Sequence, residues 1–181
     1  MHSLIKQSEC TGLPIINSES CEIVGRVKEF LFVSDSRKFF GIMLDGGHLN
    51  KDKIILSKNV IRMGRDAIIV DGENIIEDLK DALGTNQLLY QFKGKEIYTK
   101  DGRDLGIVKD IRINQLNGDI ECLEISDGVI SDLINGRAIL PLIGKISFSD
   151  DCILIDDEAY QELQTKREDV KRGGVVFEEY V

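Results

Sequence analysis

The chain has 181 residues, 42% of them hydrophobic, and a formal net charge of −9. Its apolar runs are short, Phe30-Leu31-Phe32-Val33 being typical, whereas a membrane-spanning helix needs about 20 apolar residues. Residues 1–86 carry 11 basic and 13 acidic side chains and residues 87–181 carry 12 and 19. Neither half clusters Lys and Arg as a phosphate backbone requires, and direct nucleic-acid binding is not expected. Met1-His2-Ser3-Leu4-Ile5-Lys6 lacks the apolar stretch and cleavage site of a signal peptide, so a cytoplasmic location is the expectation.

In chain order, the pattern of copy one predicts strands over residues 13–16, 24–33, 38–44, 53–56, 60–63 and 67–70. A helical stripe of Ile75, Ile76, Leu79 and Leu83 follows, with Asp71 or Asn74 near its start and Gly84 beyond its end. Copy two then repeats copy one. Val24-Gly25-Arg26-Val27-Lys28-Glu29-Phe30 reads against Leu105-Gly106-Ile107-Val108-Lys109-Asp110-Ile111, an offset of 81 positions. Ile42 and Leu44 fall in the same way on Leu123 and Ile125. A doubled unit implies two similar small domains, 1–86 with a linker helix and 87–181 with a C-terminal helix and tail.

Copy two predicts strands at 95–99, 105–113, 119–126, 137–142, 145–148 and 152–155. Asp101-Gly102 and Asn117-Gly118 are its hairpin turns, and Asp-Gly suits a type I′ turn with positive φ at both central positions. On the return strand Ile107, Lys109, Ile111 and Ile113 share one side, which is expected to face a core with Lys109 the exception. A second helix is expected to bear Ala159, Tyr160, Leu163 and Val170. Short, evenly spaced strands of this kind indicate a mainly β fold, with two tandem small antiparallel barrels closed to hide their edges. Gly25 and Gly106 interrupt strand patterns, where glycine belongs only if the backbone bends, and are read as corner residues.

No catalytic, cofactor or metal motif emerges. Cys10, Cys21, Cys122 and Cys152 show no C-x-x-C spacing, and Cys122 and Cys152 read as buried small hydrophobes. His48, beside Gly46-Gly47, has no second catalytic group in its pattern, and no phosphate-loop or dinucleotide fingerprint follows it. The acids at Asp150-Asp151 and Asp156-Asp157-Glu158 match no calcium-loop spacing and occupy turn and cap positions. An enzyme is therefore not expected.

Residues 94–111, Gly-Lys-Glu-Ile-Tyr-Thr-Lys-Asp-Gly-Arg-Asp-Leu-Gly-Ile-Val-Lys-Asp-Ile, resemble the opening of a PRC-barrel domain. Gly12 through Val27 resembles it less closely, with Ser20-Cys21-Glu22 where copy two has Asp101-Gly102, and with one extra residue. That family includes the cytoplasmic part of the photosynthetic reaction-centre H subunit and the C-terminal domain of the ribosome maturation factor RimM. The resemblance implies a non-enzymatic adaptor that binds a protein partner. The alternative is an RNA-processing or ribosome-assembly factor that acts through a protein partner. Aromatic residues outside the shared pattern, Phe39, Phe40, Tyr90 and Phe92, are candidate partner-surface residues, set against a core role for at least half of them. The tail Val175-Val176-Phe177-Glu178-Glu179-Tyr180-Val181 is expected to dock as a strand or plug through Phe177 and Tyr180. Its target is the chain's own barrels or a second subunit, so a homo-oligomer is among the expected states.

Overall fold

A computed structural model describes residues 4–33, 38–46, 53–83, 89–126, 138–142, 146–149, 151–156, 160 and 161. Fifteen strands run through these residues. They are β1 (Leu4–Lys6), β2 (Pro14–Asn17), β3 (Ile23–Val33), β4 (Phe39–Leu44), β5 (Lys53–Leu56), β6 (Val60–Met63), β7 (Ile68–Val70) and β8 (Ile76–Asp78). There follow β9 (Leu89–Tyr90), β10 (Glu96–Thr99), β11 (Asp104–Asn114), β12 (Ile120–Ser126), β13 (Ala138–Pro141), β14 (Ile146–Phe148) and β15 (Cys152–Ile155). The described helices are the short α1 (Gln7–Cys10) and α2 (Leu79–Leu83), with a 3-10 turn at Ser57–Asn59. The chain is mainly β, and the strands predicted from sequence match these to within one or two residues.

Two compact units result, one from Met1–Gln91 with Ile113–Asp119, the other from Phe92–Arg112 with Ile120–Val181. In the first unit the sheet order is β6-β7-β2-β3-β4-β5-β8, with β9 added to β3. In the second it is β14-β15-β10-β11-β12-β13. Matched strand for strand (β2 to β10 through β7 to β15), the two orders are the same. The first strand of each series pairs on both edges: β2 is antiparallel to β3 and parallel to β7, and β10 is antiparallel to β11 and parallel to β15.

The corner glycines occupy equivalent places. Ile15 lies opposite Gly25 and Ile97 opposite Gly106, and in both pairs the register shifts at the next residue. A register shift of this kind marks a bulge, which bends the strand and raises its twist. Gly106 takes φ 110°. Gly25 lies outside the left-handed region, and its glycine makes room instead for Leu44, whose Cδ2 would sit 3.1 Å from an added Cβ.

Several expectations are corrected. At the first hairpin of copy two only Gly102 has a positive φ (85°), so the turn is not type I′. The three-residue loop Lys100–Gly102 is closed by Gly102 N–H donating to Thr99 O (3.0 Å) and Thr99 N–H donating to Arg103 O (2.9 Å). The buried Thr99 shapes it: its hydroxyl donates to the Asp101 carboxylate and accepts from Arg103 N–H (2.9 Å). At Asn117-Gly118, too, only Gly118 has a positive φ, of 76°. In copy one the matching loop is one residue longer, and Cys21 supplies the positive φ, of 56°. There Asn17 Oδ1 accepts from Glu19 N–H (2.9 Å) and Ser20 N–H (3.1 Å), and Asn17 Nδ2 donates to Gly72 O (3.0 Å).

The helix after copy one is shorter than its stripe suggests. Ile76 is the start of β8, because the open edge of β5 captures it as an antiparallel strand with Ile55 opposite Ile76 and Lys53 opposite Asp78. Only Leu79–Leu83 is helical. Of the second expected helix, Tyr160 and Gln161 are helical and the rest lies outside the described residues. On β11 the core side is also different: Val108 and Asp110 are buried while Ile107 and Lys109 are exposed, and from Asp110 onward both faces are covered.

Closed barrels are not what the described residues form. The outermost strands of each order do not pair with one another, so both sheets are open. In the first unit β8 covers the outer edge of β5. The matching strand β13 bears no further strand among the described residues, and Leu142 N–H donates to Glu121 O (3.2 Å). By alternation, Ile139 and Pro141 then direct their backbone outward, and Pro141 has no N–H to offer. A proline at that position blunts an edge.

The two corner glycines should respond differently to substitution. Gly106→Ala forces a left-handed φ on a side chain, at a cost of about 1–3 kcal/mol, and should lower Tm by roughly 2–12 °C. Gly25→Ala meets only the mobile end of Leu44 and should stay within about 1 kcal/mol of wild type. Thermal melts of the two variants measure the contrast.

Candidate protein interface

The outward face of the first unit carries a cross-strand row of isoleucines. Ile16 on β2 is flanked by Ile23 on β3 and by Ile69 on β7. Ile69 in turn faces Arg62 on β6, where a register shift brings Ile61 to the same end. Residues directly opposite one another share a face, so Ile23, Ile16, Ile69 and Arg62 line one face across four strands, about 14 Å long, with Ile61 beside them at the register shift. Ile15, Ile68 and Val70 alternate with it and are fully buried. Ile23 is 61% exposed and Ile61 56%, while Ile16 and Ile69 are half-buried between them. Scattered single isoleucines would be ordinary surface, whereas a contiguous apolar row is a candidate contact face.

The second unit decorates the same scaffold otherwise. Its equivalent row reads Asp104, Tyr98, Leu154 and Ser147. Asp104 Oδ1 accepts from Gly106 N–H (2.8 Å), and the Tyr98 hydroxyl donates to Glu96 Oε2 (2.7 Å). That hydrogen bond holds the Tyr98 phenol above its ordinary value. The isoleucine row belongs to one half alone.

The aromatic candidates divide. Phe39 is buried, its ring edge-on to Phe30 at 5.5 Å and tilted against Phe32 at 6.1 Å, with the turn at Gly118 packed against it. Phe92 is buried against Phe148 at 5.1 Å. Both are core residues and are withdrawn as partner-surface positions, since edge-to-face packing buries them more favourably than water would solvate them. Phe40 is half-buried against the Leu31, Met43 and Ile54 cluster. The backbone of Tyr90 pairs with Phe32, and Phe177 and Tyr180 lie outside the described residues. Gly25, Gly106, Asp101 and Gly102 are architectural. The 81-residue correspondence reveals what the halves share, whereas strand pairing reveals what one half adds.

Residues 86–159 match the family model for the PRC-barrel domain. That stretch of the chain is a PRC-barrel domain. No curated protein matches the chain. No described helix is long and apolar enough to cross a membrane.

The PRC-barrel domain also holds a buried ion pair. Arg112 Nε donates to Glu124 Oε1 at 3.0 Å, with the side chains 17% and 2% exposed. Strand matching places this pair at the positions of Leu31 and Met43, which pack with Ile54 under Leu79 and Ala82 of α2. One scaffold position is thus filled by an apolar pair in one half and a charged pair in the other. Next to it, burial pushes the Cys122 thiol up from 9.0 to about 12, with Glu124 and Glu121 adding to the rise and Arg112 opposing it. The folded state holds that proton more tightly than the unfolded chain, so Cys122 subtracts stability as pH climbs from 9 toward 12. In the first unit burial likewise raises the Glu29 carboxyl, against the lowering effects of Lys28 and a hydrogen bond from Gln91 (2.8 Å).

Two outcomes follow. Arg112→Leu takes the guanidinium from a buried carboxylate and should cost up to about 3–5 kcal/mol, while Arg112→Leu with Glu124→Met, the residues of the first unit, should return to wild-type stability or above. Denaturant titrations of the single and double variants decide this. In native protein at pH 8, Ellman's reagent should label Cys21, which is exposed, at once, and Cys10 and Cys122, which are buried, only on unfolding.

Proposed function

We propose that this chain is a non-enzymatic protein-binding module of the PRC-barrel type acting in the cytosol. On this reading its first half is a diverged second copy of the PRC-barrel fold. Support for the doubled fold comes from the shared strand order and from the register shifts at Gly25 and Gly106. The observation that carries the binding role is the row Ile23, Ile16, Ile69 and Ile61, an apolar centre on an outward face. Fully burying such a side chain contributes about 1.5–3 kcal/mol, so a few of them suffice to anchor a contact.

The test is affinity capture from the source cell with wild type and with Ile23→Asp, Ile61→Asp in parallel. Both positions are exposed, so the variant should melt with wild type while losing one or more captured proteins. Identical captured sets would remove the row as the binding face. Ribosomal proteins among those lost would assign the module to ribosome assembly.

A further inference from the structure

We infer that Asn117 is a self-modification site, converting to aspartate and isoaspartate through a cyclic imide at a rate set by local opening of its turn. The reaction needs no enzyme and no co-reactant but water. The backbone nitrogen of Gly118 loses its proton and attacks Asn117 Cγ. A new C–N bond forms, the bond from Cγ to Nδ2 breaks, and Nδ2 takes up the proton and leaves as ammonia. Water then opens the imide at either carbonyl. Opening at the side-chain carbonyl gives aspartate, and opening at the main-chain carbonyl gives isoaspartate, whose backbone runs through Cγ.

The turn sets the reacting groups in place and restrains them with one bond. Asn117 is exposed, so water reaches it. Gly118 has no side chain to shield its nitrogen, and the position is held to glycine by its φ of 76° and by Phe39, whose Cδ1 would lie 2.5 Å from an added Cβ. Asn117 Oδ1 accepts from Asp119 N–H (3.0 Å), so a donor already faces the oxygen on which negative charge develops when Cγ is attacked. Opposing this, Gly118 N–H donates to Asn114 O (2.8 Å), which ties up the nucleophile. Local opening of the turn frees that nitrogen while the rest of the unit stays folded. How often it opens depends on the pins beside it. The Asp119 carboxylate accepts from Lys38 Nζ and from Phe39 N–H (3.5 Å), and Asn114 N–H donates to Asp119 O (3.0 Å). All of these residues belong to the first unit. Isoaspartate lengthens the main chain by one carbon next to Gly118, where Phe39 leaves no space, so conversion loosens the contact that covers this core ring.

The experiment incubates the full chain, folded and in denaturant, in mildly alkaline buffer and follows residue 117 by peptide mapping and mass spectrometry. Mapping reads the chain's other Asn-Gly pair, Asn135-Gly136, separately. Folded wild type should yield both aspartate and isoaspartate at residue 117, at a rate roughly ten-fold below that of the denatured chain. Asp119→Ala removes the carboxylate pin and should bring the folded rate several-fold closer to the denatured one. Lys38→Met, at an exposed position that leaves the fold intact, should act in the same direction more weakly. Aged wild type should melt below fresh protein, while aged Asn117→Gln should melt as it did when fresh. A folded chain that still holds its asparagine when the denatured chain has fully converted overturns the proposal. So does a folded rate equal to the denatured one, or one that neither variant changes. Aged wild type that has converted and yet melts like fresh protein overturns the link to Phe39.

Discussion

Each unit is organised by a short strand that must satisfy neighbours on both edges. β2 and β10 take an antiparallel partner on one side and the last strand of the series on the other. A strand so enclosed has no freedom to slip, because a shift of one residue would turn its buried face to water. The bulge beside Gly25 and Gly106 lets a long return strand follow this short one and still bend away. The turns that begin at Asn17 and Thr99 depend on the same constraint. Each of these buried polar residues ends its strand and supplies side-chain hydrogen bonds that close the loop beyond it.

Much of this is legible in the chain itself. Gly25 and Gly106 stand out because glycine is costly inside a strand, and their spacing aligns the halves. Alternation located strands such as β2, β7, β10 and β15 closely, since each buries one face along its length. The limits of that reading are equally physical. Ile76 has helical spacing to Leu79 and Leu83, yet an open edge at β5 outweighs local preference and draws it into a strand. On β11 the alternation misassigned Ile107 because a strand buried on both faces has no single apolar side. The turn at Gly102 kept its glycine but not its expected type, since the hydroxyl of Thr99 selects a three-residue loop.

The candidate interface was not legible at all, for an instructive reason. Ile16, Ile23, Ile61 and Ile69 are scattered over more than forty positions and look like core residues one by one. Only parallel pairing of β2 with β7 and antiparallel pairing on either side bring them into one line. Phe39 and Phe92 illustrate the converse: large aromatic residues attract notice in a sequence, but here they fill the interior. The matched positions Leu31 and Arg112, or Met43 and Glu124, show that the scaffold accepts chemically opposite occupants.

That last exchange gives the two halves different responses to temperature. The first half secures its α2-covered face with apolar contacts, whose driving force fades as water cools. The PRC-barrel domain places a charged pair at the same positions, and the penalty for stripping water from charges shrinks as temperature rises. Chilling therefore weakens that part of the first half more, and warming relieves the pair in the second. At this one pair of matched positions the two halves therefore respond to temperature in opposite senses.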